Sequence, residues 1–273
     1  MNGSPDVFDA LRAEGDAVDG MVAGLDAEQW RSPTPAPGWT IAHQIAHLTA
    51  TFRMAGLAGS APDRFVAVMS ELDDDFTKNV ANALAEYLAE PADVLLERWR
   101  LERESSAKAL EAVPAGTLVP WLVNPLPAQV LASAGIMELF AHGQDIADAL
   151  GVDRAHDDLL LGHLTAFGAR TWTFGYLSRG LPVPETEFRF ELTSPSGTTW
   201  GYGPEDAPQR ITGQARDFCL LVTRRRHRDD LAVTASGDVA EHWLDIAQAY
   251  RGPAGEGREP GQHRRGRRPN RKA

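Results

Sequence analysis

The segment "PGWTIAHQIAHL", residues 37–48, decides the fold prediction together with a second segment, "MELFAHGQDIADAL", residues 137–150. In both segments apolar residues recur every three or four positions, as on one face of an amphipathic helix. Thr40 is a natural N-cap for a helix that starts at residue 41. Gly151 is placed to end the second helix as its C′ residue. The sequence therefore predicts two helices, each with one apolar face.

Both predicted helices carry polar side chains along the apolar face. His43 and His47 are four residues apart, as are Glu138 and His142, so each pair shares one side of its helix. If the helices are bundle neighbours, His47, Glu138 and His142 form a two-histidine, one-carboxylate set that suits Zn²⁺, Ni²⁺ or Fe²⁺. His47 lies one turn deeper than His43 and is the better candidate ligand. The alternative is a hydrogen-bonded core histidine beside an ordinary glutamate–histidine pair, although a buried Glu138 would be costly without a cation.

The first half of the chain reads as helices separated by proline and glycine. The periodicity predicts helices over residues 6–25, 41–57, 65–89, 91–113 and 128–150. The link "RSPTPAPGW", residues 31–39, is too rich in proline to be helical, and residues 114–127 are expected to form a loop. This pattern indicates an up-and-down four-helix bundle over residues 1–152.

The second half changes character and predicts a small α+β domain over residues 153–258. A helix or helix pair ends at Gly180, and "EFRFELTSPSGTTWGYG" alternates apolar and polar residues around the turn "SPSG", which is typical of a hairpin. A strand followed by a helix is predicted at 210–225, a short strand at 231–238 and a last helix at 238–250. Residues 259–273 form a basic tail that is predicted to be disordered. The fold class is therefore α+β.

Charge and cysteine content narrow the range of partners. The net charge of −11 combines an acidic body with a basic end, where residues 251–273 hold eight Arg and Lys against two Glu. An acidic body repels nucleic acid, so a nucleic-acid partner is not expected. No apolar run reaches the length of a membrane span, and the first residues do not read as a signal peptide. The single cysteine, Cys219, suits a reducing cytoplasm, and its apolar neighbours indicate a buried thiol rather than a nucleophile.

The two opening segments together resemble the N-terminal domain of mycothiol-dependent maleylpyruvate isomerase, within the DinB-like four-helix bundles. The resemblance rests on "GWT" followed by "AHL" at the helix predicted over 41–57, and on the E-x-x-x-H-x-x-D spacing in the helix predicted over 128–150. It implies that His47, Glu138 and His142 are the metal ligands and that Asp145 supports them. The C-terminal half is similar to the sterol-carrier-like domain that is often appended in actinobacterial members. The likeness covers nearly the whole chain before the tail.

The resemblance implies a thiol-dependent transferase or isomerase that acts on a small organic electrophile, with a divalent metal, foremost Zn²⁺, and mycothiol as co-substrate. Isomerase-like members tend to carry an arginine shortly before the metal glutamate, whereas "LASAGIM" precedes Glu138 here. That departure weakens the case for maleylpyruvate as the substrate. Two alternatives stay open. One is a thiol-independent metal-assisted hydrolase, cyclase or lyase, and the other is an apolar-ligand-binding protein with a structural metal. A homodimer is a further possibility.

Several side chains near these motifs have more than one interpretation. His43 is a candidate catalytic proton shuttle, since an unperturbed imidazole titrates near neutral pH. It is equally suited to hold a backbone carbonyl. Trp39 either forms a wall of the site or anchors packing before the helix. Three arginines could reach an anionic substrate or form a solvated basic face, namely Arg216, Arg224 and Arg226.

Overall fold

The computed structural model describes residues 6–122 and 124–262 and divides the chain into two units, Met1–Ala155 and His156–Ala273. The domain boundary that the sequence predicts follows residue 152. Of the predicted basic tail, residues 263–273 lie outside the described part. Residues 259–262 form a turn in which the Gly261 amide donates to Asp230 Oδ2 at 2.7 Å.

In the described part of the first unit there are six α-helices and one very short antiparallel strand pair. They are α1 (Val7–Val22), α2 (Ile41–Ser60), α3 (Pro62–Ser70), α4 (Phe76–Leu88), α5 (Ala92–Glu111), β1 (Leu118–Val119), β2 (Leu126–Pro127) and α6 (Ala128–Leu150). Helices α1, α2, α5 and α6 pack against one another. This arrangement confirms the predicted helical bundle. Thr40 and Gly151 lie at the two helix ends where the sequence predicts them, and Gly151 has the left-handed conformation (φ +66°) of a C′ glycine.

The prediction of one helix over residues 65–89 is wrong, because α3 and α4 are separate helices. The break occurs at a run of aspartates. Asp75 Oδ1 accepts hydrogen bonds from the amides of Thr77, at 2.9 Å, and Lys78, at 3.1 Å, and so caps the start of α4. Asp73 in turn accepts from the Asp75 amide at 3.0 Å. Because aspartate side chains bind the backbone locally, they favour a helix start over a helix interior.

Two glycines explain how closely α2 and α5 pack. A Cβ atom at Gly59 would lie 3.0 Å from the backbone of Ala109, and one at Gly56 would lie 3.3 Å from Ser106 Cα. Small residues on this face of α2 thus let the two backbones approach. Phe52 and Trp99 meet edge to face, with ring centroids 5.3 Å apart, in the core between these helices. This packing fixes α2, the helix that carries His43 and His47.

Up to residue 262, the second unit consists of a four-stranded sheet and four α-helices. They are α7 (Asp158–Arg170), α8 (Phe174–Leu177), β3 (Phe188–Thr193), β4 (Thr199–Tyr202), β5 (Gln209–Gln214), α9 (Ala215–Val222), β6 (Val233–Ser236) and α10 (Asp238–Ile246). The strand order is β4-β3-β5-β6. Strands β3 and β5 are parallel and the other pairs are antiparallel. The α+β class and the hairpin around "SPSG" are therefore confirmed.

One face of this sheet forms the core of the second unit. Along β3, Phe188, Phe190 and Leu192 are buried while the alternating residues are half-exposed, as expected for a sheet with one covered face. Trp243 of α10 packs edge to face on Phe190, with ring centroids 5.5 Å apart. Cys219 of α9 is fully buried, as its apolar neighbours predict.

The last helix is shorter than predicted, since α10 ends at Ile246 rather than residue 250. The chain turns to an extended conformation at Ala247. Two residues on, the Ala249 amide donates to the carbonyl of Val222 at 2.8 Å, at the end of α9.

Over the described ranges, none of the helices has the length and apolarity that crossing a bilayer requires.

Candidate metal centre

Helices α2 and α6 bring His47, Glu138 and His142 together. Glu138 Oε2 lies 3.4 Å from His47 Nε2 and 3.2 Å from His142 Nε2. Each residue offers a ligand atom within 4.8 Å of the other two. Among the residues that the structure describes, this group holds three metal-ligating side chains, and all three are half-buried. The convergence of one turn of α2 with one face of α6 is therefore the geometry that the spacing predicts.

The donor chemistry of this group fits a cation. His142 Nδ1 meets the amide oxygen of Gln44, so Nδ1 must carry the proton. In a neutral imidazole the lone pair then lies on Nε2, the atom that faces Glu138 Oε2. Two lone pairs at 3.2 Å repel each other unless a proton or a cation lies between them. Histidines that bind a metal through one ring nitrogen typically donate from the other to an oxygen that fixes the ring, as His142 Nδ1 does to Gln44.

The environment of Glu138 favours its charged form. Burial alone would raise the pKa of this carboxyl, but when His142 and His47 carry a proton on Nε2 in the metal-free protein, their hydrogen bonds and positive charge outweigh that effect and hold its pKa well below the usual range. About a quarter of the side chain, 23%, is accessible to solvent. Glu138 is thus a carboxylate at neutral pH, which is the form that ligates a metal.

Trp39 lies against the imidazoles of the site. Its ring centroid is 5.4 Å from that of His47, 5.9 Å from that of His142 and 6.3 Å from that of His43. The Trp39 and His142 rings are nearly parallel, at 20°. Trp39 is only half-buried, so it is not a core anchor. Of its two predicted roles, the geometry favours the wall of the site.

His43 takes part in capping α2 rather than binding a carbonyl. The backbone N–H of Thr40 donates to His43 Nδ1 at 3.3 Å, and the Thr40 hydroxyl lies 2.8 Å from the same atom. This is a capping box in which histidine occupies the position that glutamate or glutamine often fills. Burial lowers the pKa of His43 below its ordinary value of 6.5. At neutral pH His43 is therefore an uncharged imidazole that carries its proton on Nε2.

Asp145 and three arginines complete the set of side chains that the sequence singles out. Asp145, one turn beyond His142 on α6, is fully buried. Arg216, Arg224 and Arg226 are half-buried rather than fully exposed, and Arg224 Nη2 donates to the Gly255 carbonyl at 3.3 Å. Arg224 also has a positive φ of 57°. These arginines therefore do not form a fully solvated basic face.

Two polar residues behind the site are absent from the sequence prediction. Gln44 is fully buried and, besides meeting His142, donates from Nε2 to Thr34 Oγ1 at 2.8 Å. Thr34 Oγ1 donates to the Trp39 carbonyl at 2.9 Å. The sequence does contain a signal for this contact, namely Gln44 itself, because an amide within the apolar run between His43 and His47 needs a buried hydrogen-bond partner.

Comparison with known proteins agrees with the helical bundle of the first unit. A family model described as "Mycothiol maleylpyruvate isomerase N-terminal domain" matches residues 11–147. That match covers half of the chain and includes both segments that carry the candidate ligands. The chain belongs to this family.

Two curated relatives are uncharacterized proteins from two strains of Mycobacterium tuberculosis. Each is 45% identical over 250 residues, which cover 91% of this chain and 96% of the relative. Two crystal structures of the mycothiol-dependent maleylpyruvate isomerase, one of a mutant, match with TM-scores of 0.55 and 0.54. Each match covers 84% of this chain and 91% of the other at 16% sequence identity, so the likeness shows a shared fold.

A second family model, described as "Wyosine base formation", matches residues 184–236, the stretch that contains β3 to β6. The match is confined to the second unit and lies outside the candidate metal centre. The similarity of this unit to sterol-carrier-like domains stays a prediction.

Proposed function

We propose that this protein is a metal-dependent enzyme that uses mycothiol in the isomerisation or transfer of a small organic electrophile. The observation that carries the proposal is the convergence of His47, Glu138 and His142 in a member of the mycothiol maleylpyruvate isomerase family. Three protein ligands favour a catalytic site over a structural one, because structural zinc sites are normally closed by four.

The proposed ligand atoms are His47 Nε2, Glu138 Oε2 and His142 Nε2. Zn²⁺ is the proposed ion, and Ni²⁺ or Fe²⁺ would suit the same donors. Such an ion, when bound, lowers the pKa of a thiol and polarises an electrophile. Trp39 would exclude water from the imidazole side of the site and give the electrophile an apolar surface to pack on.

His43 is proposed to act as a proton donor at Nε2. Its Nδ1 is occupied as an acceptor by Thr40, and its lowered pKa keeps the ring neutral. A neutral imidazole held in this way offers one N–H to a substrate or to a developing anion. His43→Glu tests this role, because glutamate preserves the capping box but removes the donor. We expect the thermal stability to be unchanged and the mycothiol-dependent turnover of the electrophile to be lost. An equally active variant would contradict the proposal.

The absence of a basic residue just before Glu138 on α6 narrows the class of substrate. Residues 131–137 contain no lysine or arginine, which argues against a substrate carboxylate held from this part of the helix. We therefore propose an electrophile with an activated double bond or a leaving group, in which the thiol attacks carbon.

The decisive experiment is metal analysis of the purified protein, followed by titration with mycothiol. Wild type is expected to bind about one divalent ion per chain, and mycothiol is expected to raise the melting temperature of the metal-loaded form. Glu138→Gln should abolish metal binding, while Glu97→Gln, on the exposed face of α5, should not. Metal-free wild type after growth with added zinc would overturn the proposal. Metal binding without any effect of mycothiol would favour the thiol-independent alternative.

A further inference from the structure

A directional chain of hydrogen bonds runs from a backbone carbonyl to the back of the metal centre. It comprises the Trp39 carbonyl, Thr34 Oγ1, the Gln44 amide and His142 Nδ1. We propose that Thr34, whose hydrogen bonds go to Trp39 and Gln44 and not to the three candidate ligands, fixes the proton of His142 on Nδ1 and so prepares Nε2 to bind the metal. This inference rests on the proposed function in that it assigns the metal to Nε2.

The direction of the chain follows from its starting point. A carbonyl oxygen only accepts, so the Thr34 hydroxyl must give its single proton to Trp39. Thr34 Oγ1 can then only accept from Gln44, which places the NH₂ group of the amide at Thr34. The amide oxygen is left to face His142, and it accepts only from a protonated Nδ1. A reversed amide would set two lone pairs against each other at Thr34.

The surroundings hold this chain in place. Gln44 is fully buried, so water cannot replace its partners. Thr34 lies in the proline-rich loop, where its own amide donates to the Trp39 carbonyl at 2.8 Å. Pro33 and Thr40 form a β-bridge that closes this loop at the start of α2. The loop is therefore a fixed support for the Gln44 amide rather than a passive link between α1 and α2.

Removal of the Thr34 hydroxyl should weaken metal binding from a distance. In Thr34→Val the amide of Gln44 loses the group that orients it, and its NH₂ can turn towards His142. Nδ1 would then accept and the proton would move to Nε2, which blocks the ligand atom. We expect a loss of roughly 10- to 100-fold in Zn²⁺ affinity, the usual effect of removing an outer hydrogen bond from a metal ligand. Thr34→Ser keeps the hydroxyl and should restore wild-type affinity.

Two measurements test the inference. Zn²⁺ affinity is obtained by competition with a chromophoric chelator. The His142 tautomer is read in metal-free protein from long-range ¹H–¹⁵N NMR correlations, at a pH high enough for the ring to be neutral. The matched control is Gln144→Leu, which removes a different buried amide, on α6, that donates to Asp148 at 2.9 Å. The control should lower stability without changing the tautomer of His142.

The expected result is an Nδ1–H tautomer in wild type and Thr34→Ser, and a shift towards Nε2–H with weaker Zn²⁺ binding in Thr34→Val. Equal affinity and an unchanged tautomer in Thr34→Val would overturn the inference, as would an Nε2–H tautomer in wild type. If wild type binds no Zn²⁺, the proposed function fails. The tautomer measurement then still decides whether Thr34 sets the proton position.

Discussion

Glu14 and Arg154 form a buried ion pair whose disruption should have a large and measurable cost. Each side chain is only 5% exposed. Arg154 also donates from Nη1 to the Phe140 carbonyl of α6 at 3.2 Å, so the pair links α1 to the helix that carries Glu138. Glu14→Leu leaves the guanidinium buried without this carboxylate, which typically costs about 3–5 kcal/mol. For a domain of this size, about 2–4 °C per kcal/mol predicts a fall in melting temperature of roughly 6–20 °C.

Differential scanning calorimetry with a double-mutant cycle checks this prediction. Glu14→Leu combined with Arg154→Met should recover most of the lost stability, because both charges are then replaced by apolar groups. The control is Glu86→Leu, since Glu86 pairs with Arg53 and Arg98 at an exposed surface and such pairs contribute little. If Glu14→Leu lowers the melting temperature no more than Glu86→Leu does, the predicted cost of leaving Arg154 unpaired is refuted.

Three further predictions concern the second unit. Cys219 should resist iodoacetamide at about pH 8 in the native protein, because burial raises the pKa of its thiol well above the usual range. Rapid native alkylation would contradict its buried position. Hydrogen bonds from Ser196 hold the pKa of Asp158 below its ordinary 3.8, so the stabilisation is present above that pH and is lost below it. The difference in melting temperature between wild type and Asp158→Asn should therefore shrink in acid, and a constant difference down to about pH 2 would refute this. Trp243→Ala should lower the free energy of unfolding by about 3–5 kcal/mol, since the ring is fully buried and donates to the Trp172 carbonyl. Denaturant titration measures that loss, and a cost below about 1 kcal/mol would argue against a central role for the ring.

The sequence predicts the helices and strands well where periodicity and end signals agree. Thr40 and Gly151 mark real helix ends, and the alternation of Phe188, Phe190 and Leu192 marks a strand with one buried face. The prediction fails where local side-chain chemistry competes with periodicity. Asp73 and Asp75 accept from neighbouring backbone amides and divide what periodicity alone joins into one helix.

The convergence of His47, Glu138 and His142 follows from helix geometry, because residues four apart share a face and two bundle helices must present their faces to each other. The support behind these side chains depends on tertiary contacts between distant residues. Gln44 reaches Thr34 ten positions earlier and His142 in another helix. Such contacts depend on loop conformation, which hydrophobic spacing does not encode.

Trp39 contributes to the candidate metal centre through two chemically independent groups, its indole ring and its backbone carbonyl. Every amino acid has the carbonyl, so a substitution at position 39 alters the ring while the acceptor for Thr34 persists. A change of this one residue can thus reshape the space next to the imidazoles and leave the orientation of His142 as it was. If the proposed function holds, substrate preference and ligand geometry are separable traits, and natural variation at a single codon can tune the first without compensating changes in the second.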